Sequence, residues 1–472
     1  MLFNEQKEVV HNLLFYWVVM KKTIEATIRK NSIHTVTIDS LDSRGFGVSR
    51  IDGIVVFVEG ALPGETVTIQ IIKSDKRYCV GKVLSLISKS ENRVASPCPL
   101  FPRCGGCDLQ HMSYKSQLEM KEKMVRDAFI HIAKITEPTI SRIIPSPRDM
   151  RYRNKGSFPV SLDGKLGFYR KHSHIIIPCD DCLTQSETTM KACRVFEYYI
   201  KKYNVSIYNE TTGNGLLRHF VVRTNTKNEI HITIVSTSGL LPNKQEMIDL
   251  FLKEIPTVVG IVLNINKRRD NVILGDNYTS LWGSDKLEEK IGDRTFSVSP
   301  ASFFQINKYQ IETLYGVVKR YIEETGAKRV IDLYCGTGTI GIFISDLCEQ
   351  VKGIEVVPEA IVDAYENAKR NGIKNISFEC GKAETLIKGI TDLDSFDTVI
   401  VDPPRSGCDR NLIEELCVNR LKTIIYVSCN PGTLARDVVL FTTNGYKINK
   451  VQPVDMFPMS NHVETVCLLT HS

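Results

Sequence analysis

Between residues 66 and 71 the chain alternates Thr66, Thr68 and Gln70 with Val67, Ile69 and Ile71, and "HTVTID" sets Val36 and Ile38 on one side of a similar run. A period of two is that of a strand with one buried face. Gly45, Gly47, Gly53, Gly60 and Gly64 punctuate these runs as turns. Five short strands within residues 23–90 therefore predict an OB-like β-barrel, a fold that often takes oligonucleotides. Helical spacing follows from Lys115 to Ile132. Strand-like runs at "SHIIIP", "RHFVVRTN", "EIHITIVS" and "VVGIVLNI" then mix with helical stretches at 186–203 and 243–254, predicting a central α+β domain over 91–298. From 299 to 472 helix and strand alternate through "NKYQIETLYGVVKRYIEE", "RVIDLYCG", "GIFISDLC", "VKGIEVV", "PEAIVDAYENAKRNG" and "FDTVIVDPP". That order predicts an α/β fold, a Rossmann-like parallel sheet covered on both faces.

At 472 residues the chain exceeds one ordinary core. Its 42% hydrophobic and 24% charged residues are those of a soluble globular protein. Sixty Lys and Arg against 54 Asp and Glu leave a formal charge of +6, which permits RNA as a partner without demanding it. The apolar stretch in "HNLLFYWVV" is too short for a membrane span, which needs roughly 20 residues, and no cleavage site follows it. Met20, ahead of "KKTIEATI", is the more natural start, so residues 1–22 are set apart as an extension. Fourteen irregularly spaced cysteines do not read as a disulfide framework, and a cytoplasmic, monomeric protein is expected.

Tight cysteine clusters are a different matter. "SPCPLFPRCGGCDLQH" spaces Cys98, Cys104 and Cys107 as C-x5-C-x2-C among prolines and glycines, and "CDDCLTQ" offers Cys179 or Cys182 as a fourth thiolate. Four cysteines suit a 4Fe-4S cluster. Zinc sites favour paired C-x2-C, of which this segment holds one, so spacing alone leaves zinc open.

"VIDLYCGTGTIG" follows a strand and opens a helix. Gly336, Gly338 and Gly341 permit a tight turn against a ligand, and Glu355 at the end of the next strand can take ribose hydroxyls. Asp332 just ahead of the glycines, with the rigid acidic corner Asp402-Pro403-Pro404, favours the cationic methyl donor S-adenosyl-L-methionine over a pyrophosphate. Methylating a pyrimidine at carbon 5 needs a thiolate to add at carbon 6 and a base to remove the carbon 5 proton. Cys429, where "IIYVS" meets Asn430-Pro431, suits the first role; Glu464, beside His462 at the start of the last strand, suits the second. Cys335, Cys348, Cys380, Cys417 and Cys467 read as core residues, and Cys408 as a loop residue without a role.

In order, "SFFQIN", "DLYCGTGTIG", "DPPRSG", "YVSCNPGTLARD" and "HVE" resemble the RNA uracil-5-methyltransferase family, in its iron-sulfur branch with an N-terminal TRAM domain that modifies 23S ribosomal RNA. The resemblance implies Cys429 as nucleophile and Glu464 as base. It implies Gln305, Tyr334, Glu355 and Asp402 at the methyl donor, and Cys98, Cys104, Cys107 and Cys182 around a cluster. Arg405, standing where RNA cytosine-5 methyltransferases carry a cysteine, favours uracil. In "RDMRYRNKGSF", Arg148, Arg151, Arg153 and Lys155 interleave with Tyr152 and Phe158, as expected for backbone contact and base stacking on single-stranded RNA. Two alternatives stay open: the same chemistry on the T-loop uridine of transfer RNA, and a vestigial site in an iron-sulfur RNA-binding protein.

Overall fold

The computed structural model describes residues 28–390 and 393–471, so the expected 1–22 extension lies outside the described residues. The chain forms two compact units. One runs to Pro97 and includes Asp108–Met120; the other comprises Cys98–Cys107 and everything from Lys121 onward.

In the first unit β1 (Ile33–Thr37), β2 (Ser40–Leu41), β3 (Gly47–Ile51), β4 (Ile54–Glu59), β5 (Thr66–Ser74) and β6 (Tyr78–Ser88) form one sheet in the order β1-β5-β6-β4-β3-β2. The predicted alternation holds: Val67, Ile69 and Ile71 are buried with Val36 and Ile38. Gly45, Gly53, Gly60 and Gly64 take positive φ as turn residues do. Gly47 does not; it opens β3, where a Cβ would meet Ile38 Cγ2 at 2.9 Å. Close packing, not a turn, asks for glycine there. The two-residue β2 has no alternation to betray it, and it accounts for six strands where five are expected.

The second unit contains two larger sheets. In the first, β7 (Lys155–Pro159), β10 (Leu217–Thr224), β11 (Ile230–Ser236), β12 (Val258–Ile265) and β13 (Asn277–Gly283) run in the order β13-β12-β11-β10-β7, while β8 (Gly167–Tyr169) and β9 (Ile176–Pro178) make a separate hairpin. With Tyr114–His131 as α1, helices α2 (Glu187–Lys202) and α3 (Lys244–Glu254) cover one face of this sheet. The Ser186 side chain caps α2 by accepting from the Thr189 amide. Phe196 stacks on Phe220 with ring centroids 4.4 Å apart in the shared core. Two expectations fail in this region. Phe158 is 0% exposed inside that core, and Tyr152 is buried with its hydroxyl donating to the Pro458 carbonyl at 2.9 Å. Neither ring is free to stack on RNA; apolar burial took them instead.

After the hairpin β14 (Leu287–Ile291) and β15 (Arg294–Val298), the catalytic sheet begins. Its strands are β16 (Arg329–Leu333), β17 (Gln350–Glu355), β18 (Ile376–Cys380), β19 (Thr398–Val401), β20 (Thr423–Ser428), β21 (Tyr446–Val454) and β22 (Glu464–His471). Their order is β18-β17-β16-β19-β20-β22-β21. Helices α4 (Ile311–Thr325), α5 (Thr339–Ile344), α6 (Pro358–Arg370), α7 (Ala383–Leu386), α8 (Arg410–Val418) and α9 (Pro431–Thr443) intervene. Five strands are parallel, as predicted, but β22 runs antiparallel to β20, and β21 antiparallel to β22. Two side chains, Lys121 and Asn307, pin the segment before β22. Lys121 on α1 and Asp455 pair at 2.6 Å with both side chains fully buried, Lys121 also donates to the Phe457 carbonyl, and Asn307 donates to Met456. No helix among the described residues is long and apolar enough to cross a membrane.

Candidate active site

Strand β20 ends at Ser428, and Asn430 caps α9 by accepting from the Gly432 amide, with Pro431 at the first helical position. Cys429 is the single residue between them, half-buried at the sheet edge. Because β22 is antiparallel to β20, Ser428 pairs with Thr465, and Glu464 arrives beside Cys429. Asp402 follows β19, the other neighbour of β20. Three of the predicted residues thus meet at one edge.

The electrostatics bear the marks of that convergence. Burial pushes the Cys429 thiol up to about 11, with Glu464 and Asp402 adding and Arg405 opposing. Burial raises Glu464 to about 8, with Asp402 adding and Arg405 again opposing, and raises Asp402 to about 7. Asp332, within β16, also rises to about 7: burial leads, the Gly341 amide opposes, and Asp402 and Glu355 add. Its Oδ2 accepts from Gly341 at 2.9 Å while its buried Oδ1 has no partner. Among the described residues, Asp332, Asp402 and Glu464 have no ion-pair partner. Carboxyls that burial pushes up, without an ion-pair partner, fit a ligand bearing a sulfonium and an ammonium group.

The glycine loop completes a cradle. Gly336 and Gly338 take φ of 54° and 76°, and Tyr334 stands at 62°, a strained value for a side-chain-bearing residue. Nothing lies within 4 Å of a Cβ built on Gly336, which leaves open space against the loop. Glu355 ties the loop to the end of β17, accepting from the Gly336 amide at 3.1 Å and from Val356 and Val357. Gln305 is buried, its carbonyl accepting from Asn154 at 3.0 Å. Tyr334 faces another neighbourhood, with Cys408 and Glu384 among the groups that add to the rise that burial imposes on its phenol.

The sequence reading used Arg405 only to favour uracil over cytosine, and it gave Phe303 no role. Arg405 is the cation opposing the upward shifts of both Cys429 and Glu464, and its guanidinium lies 3.4 Å from His462. Its place in "DPPRSG" was the available signal. Phe303, two residues before Gln305, is 72% exposed, which is unusual for a phenylalanine beside a buried segment. Cys380 is exposed at the end of the edge strand β18, contrary to its expected core position, while Cys335, Cys348, Cys417 and Cys467 are buried as expected. Cys408 is buried too, its backbone amide donating to Asp437.

The cysteine segment lies against the β8–β9 hairpin, where the Gly105 amide donates to Tyr169. Burial raises Cys104, and Cys182 and Cys98 add to the rise. Cys179 donates to Cys182, which favours the thiolate at Cys182. Cys107 is near Tyr152. Among the described residues no three Cys, His, Asp or Glu side chains stand in a metal-binding arrangement. Cys98, Cys104, Cys179 and Cys182 lie within electrostatic reach of one another, whereas Cys107 neighbours Tyr152.

The sheet order, the glycine cradle and the anionic edge define an S-adenosylmethionine-dependent methyltransferase. The tRNA (uracil-5-)-methyltransferase family profile matches residues 113–472 and a TRAM domain profile matches residues 29–84. The chain belongs to that family, and its reaction is methylation of RNA uracil at carbon 5. It is 42% identical to an "Uncharacterized RNA methyltransferase" of Clostridium tetani (strain Massachusetts / E88), over 96% of this chain and 99% of that one. A relative of the same description in Halalkalibacterium halodurans is 41% identical over 94% and 98%. Among solved structures, the tRNA (uracil-54, C5)-methyltransferase of Pyrococcus abyssi, in complex with S-adenosyl-L-homocysteine, matches with a TM-score of 0.77 and 29% identity, over 93% of this chain and all of that one.

Proposed function

We propose that the chain methylates carbon 5 of a uridine in 23S ribosomal RNA through a covalent cysteine adduct. The observation that carries this reading is the juxtaposition of Cys429 and Glu464 at one sheet edge beside Asp402. Cys429, as thiolate, adds to carbon 6 and leaves carbon 5 nucleophilic. S-adenosylmethionine supplies the electrophilic methyl. Glu464, as carboxylate, then takes the carbon 5 proton, and the electron pair of that bond expels the Cys429 thiolate. Asp332 and Asp402 would hold the donor's cationic groups, Glu355 its ribose, and Gly336 and Gly338 the turn that admits it, with Gln305 and Tyr334 as further walls. We retain the division into 23–90, 91–298 and 299–472, and a cytoplasmic monomer.

The cysteine segment belongs to the same proposal. Cys98, Cys104, Cys107 and Cys182 would hold a 4Fe-4S cluster that shapes the RNA-facing side of the central region, and iron and acid-labile sulfide in anaerobically purified protein would test it. The ribosomal assignment rests on the resemblance of this segment. A second reading, the T-loop uridine of transfer RNA, is favoured by the family description and by the printed substrate of the Pyrococcus protein.

One experiment separates them: mapping 5-methyluridine by mass spectrometry of nuclease fragments from cells with and without the gene. Loss from a large-subunit fragment is the expected outcome. Loss from the transfer RNA T-loop would shift the substrate, and unchanged maps in both RNAs would favour a vestigial site.

A further inference from the structure

The central sheet has a second face. Phe158, Phe220, Val222 and Ile232 point into the helix-covered core, so alternation sends Lys155, Ser157, His219, Arg223, His231 and Thr233 to the other side. Register makes that face unusual. Lys155 on β7 pairs with Arg223 on β10, and Arg223 with His231 on β11, which sets three basic side chains in one row across three adjacent strands. Burial pushes His231 down to about 4, so the like charges that face each other are those of Lys155 and Arg223, and such pairs on a sheet repel.

Asp285 is within electrostatic reach of His231 at one end of the row. Neither Lys155 nor Arg223 forms an ion pair among the described residues. Burial, with Arg223 adding, lowers Lys155 to about 7. Arg223 is 5% exposed; one guanidinium nitrogen donates to the Ser302 carbonyl and its Nε has no partner. The acid within its electrostatic reach, Glu289, is itself raised by burial and accepts from Thr226 and Lys290. His231 is 2% exposed with Nε2 unpartnered, and the Ser157 hydroxyl is also buried without a partner. Gly260 leaves room for the His231 ring, since a Cβ there would meet its Cδ2 at 2.8 Å.

Desolvated cations and donors without acceptors are costly unless something anionic completes them. Lys155 is only half-buried, which leaves the row a side open to solvent, while Arg223, His231 and the Ser157 hydroxyl are buried. The row also adjoins the donor-site segment: Arg223 holds Ser302, one residue before exposed Phe303, and Asn154, one residue before Lys155, donates to Gln305. We propose that Lys155, Ser157, Arg223 and His231 form a phosphodiester-binding site that grips the RNA backbone next to the nucleotide presented to Cys429. This rests on the RNA methyltransferase reading above. Lysine, arginine and serine are the usual donors to RNA phosphate, and such contacts fix register rather than read sequence.

The test uses full-length protein, a fluorescent oligouridylate and inorganic phosphate as probes, and the variants Lys155→Gln and Lys155→Arg. Salt titration of oligouridylate binding should give Lys155→Gln an affinity about fivefold weaker and a log–log slope shallower by about 0.7, the loss of one single-strand phosphate contact. Lys155→Arg should restore the slope. Without RNA, Lys155→Gln should melt at a higher temperature than the unaltered protein, because an unpaired, desolvated ammonium is gone; a merely structural lysine would lower it. Binding of S-adenosylhomocysteine reports folding, and if Lys155→Gln loses it, Ser157→Asp carries the same test, with an expected steeper loss of oligouridylate affinity. Identical salt slopes in variant and unaltered protein would overturn the site. So would a Lys155-dependent rise in melting temperature with inorganic phosphate if the RNA slopes were equal, since that marks a free-anion site. The readouts are independent of methyl transfer: a protein that methylates uridine with unchanged slopes loses this site and keeps its function, and one that methylates nothing while the slopes differ does the reverse.

Discussion

Replacing Cys429 by alanine is expected to lower methyl transfer by at least about 10⁴-fold, because the adduct that activates carbon 5 cannot form without a thiolate. Binding of S-adenosylhomocysteine should survive, since the cradle of Gly336, Gly338 and Glu355 does not involve the thiol. The environment of Cys429 adds a pH signature. Its thiol is raised to about 11, so the reactive thiolate is a minority at neutral pH and grows as pH rises. Glu464, raised to about 8, likewise gains its carboxylate form towards alkaline pH. Single-turnover rates of the unaltered enzyme should therefore climb between about pH 7 and 9, less steeply once a cationic donor is bound and pulls both groups down. A rate that is flat over that range, or undiminished methylation by Cys429→Ala, would point to another nucleophile.

Glu464→Gln is expected to separate addition from elimination. Methyl transfer can still occur, but the carbon 5 proton has no acceptor, so protein and RNA remain joined through Cys429. Turnover should fall by about 10³-fold or more while a slow, nuclease-sensitive band accumulates on denaturing gels. Absence of that band in a variant that binds RNA would remove Glu464 from the role of base. Stability gives a control. A carboxyl raised from 4.5 to about 8 contributes stability that is complete below its unfolded value and is lost as pH rises through the folded one. Glutamine cannot ionise, so between about pH 4.5 and 8 the variant should melt at a temperature less sensitive to pH than the unaltered protein. Failure of turnover therefore need not mean failure to fold.

Much of this site is legible in one dimension because its parts are local. A glycine loop between a strand and a helix, an acid ending the next strand and a cysteine between a strand and Asn-Pro are each contained in a dozen residues. The same holds for the barrel, whose alternation at Val67, Ile69 and Ile71 directly names its buried face. Local pattern misled where burial competes. Tyr152 and Phe158 sit among basic residues and read as stacking platforms, yet both pack inward, because a large ring gains more from a core than from solvent. Cys380 went the other way, left exposed where the edge strand β18 has a neighbour on one side only.

By itself, then, the sequence determined the kinds of element, their order along the chain and the residue types able to do the chemistry, since these follow from periodicity and turn preference within short windows. Tertiary structure alone decided which of those residues meet. The antiparallel return of β22 brings Glu464 to Cys429 across a separation of 35 residues, and the register of β7, β10 and β11 lines up Lys155, Arg223 and His231. Strand direction and register are settled by which faces the whole chain can bury at once, a choice no local window contains.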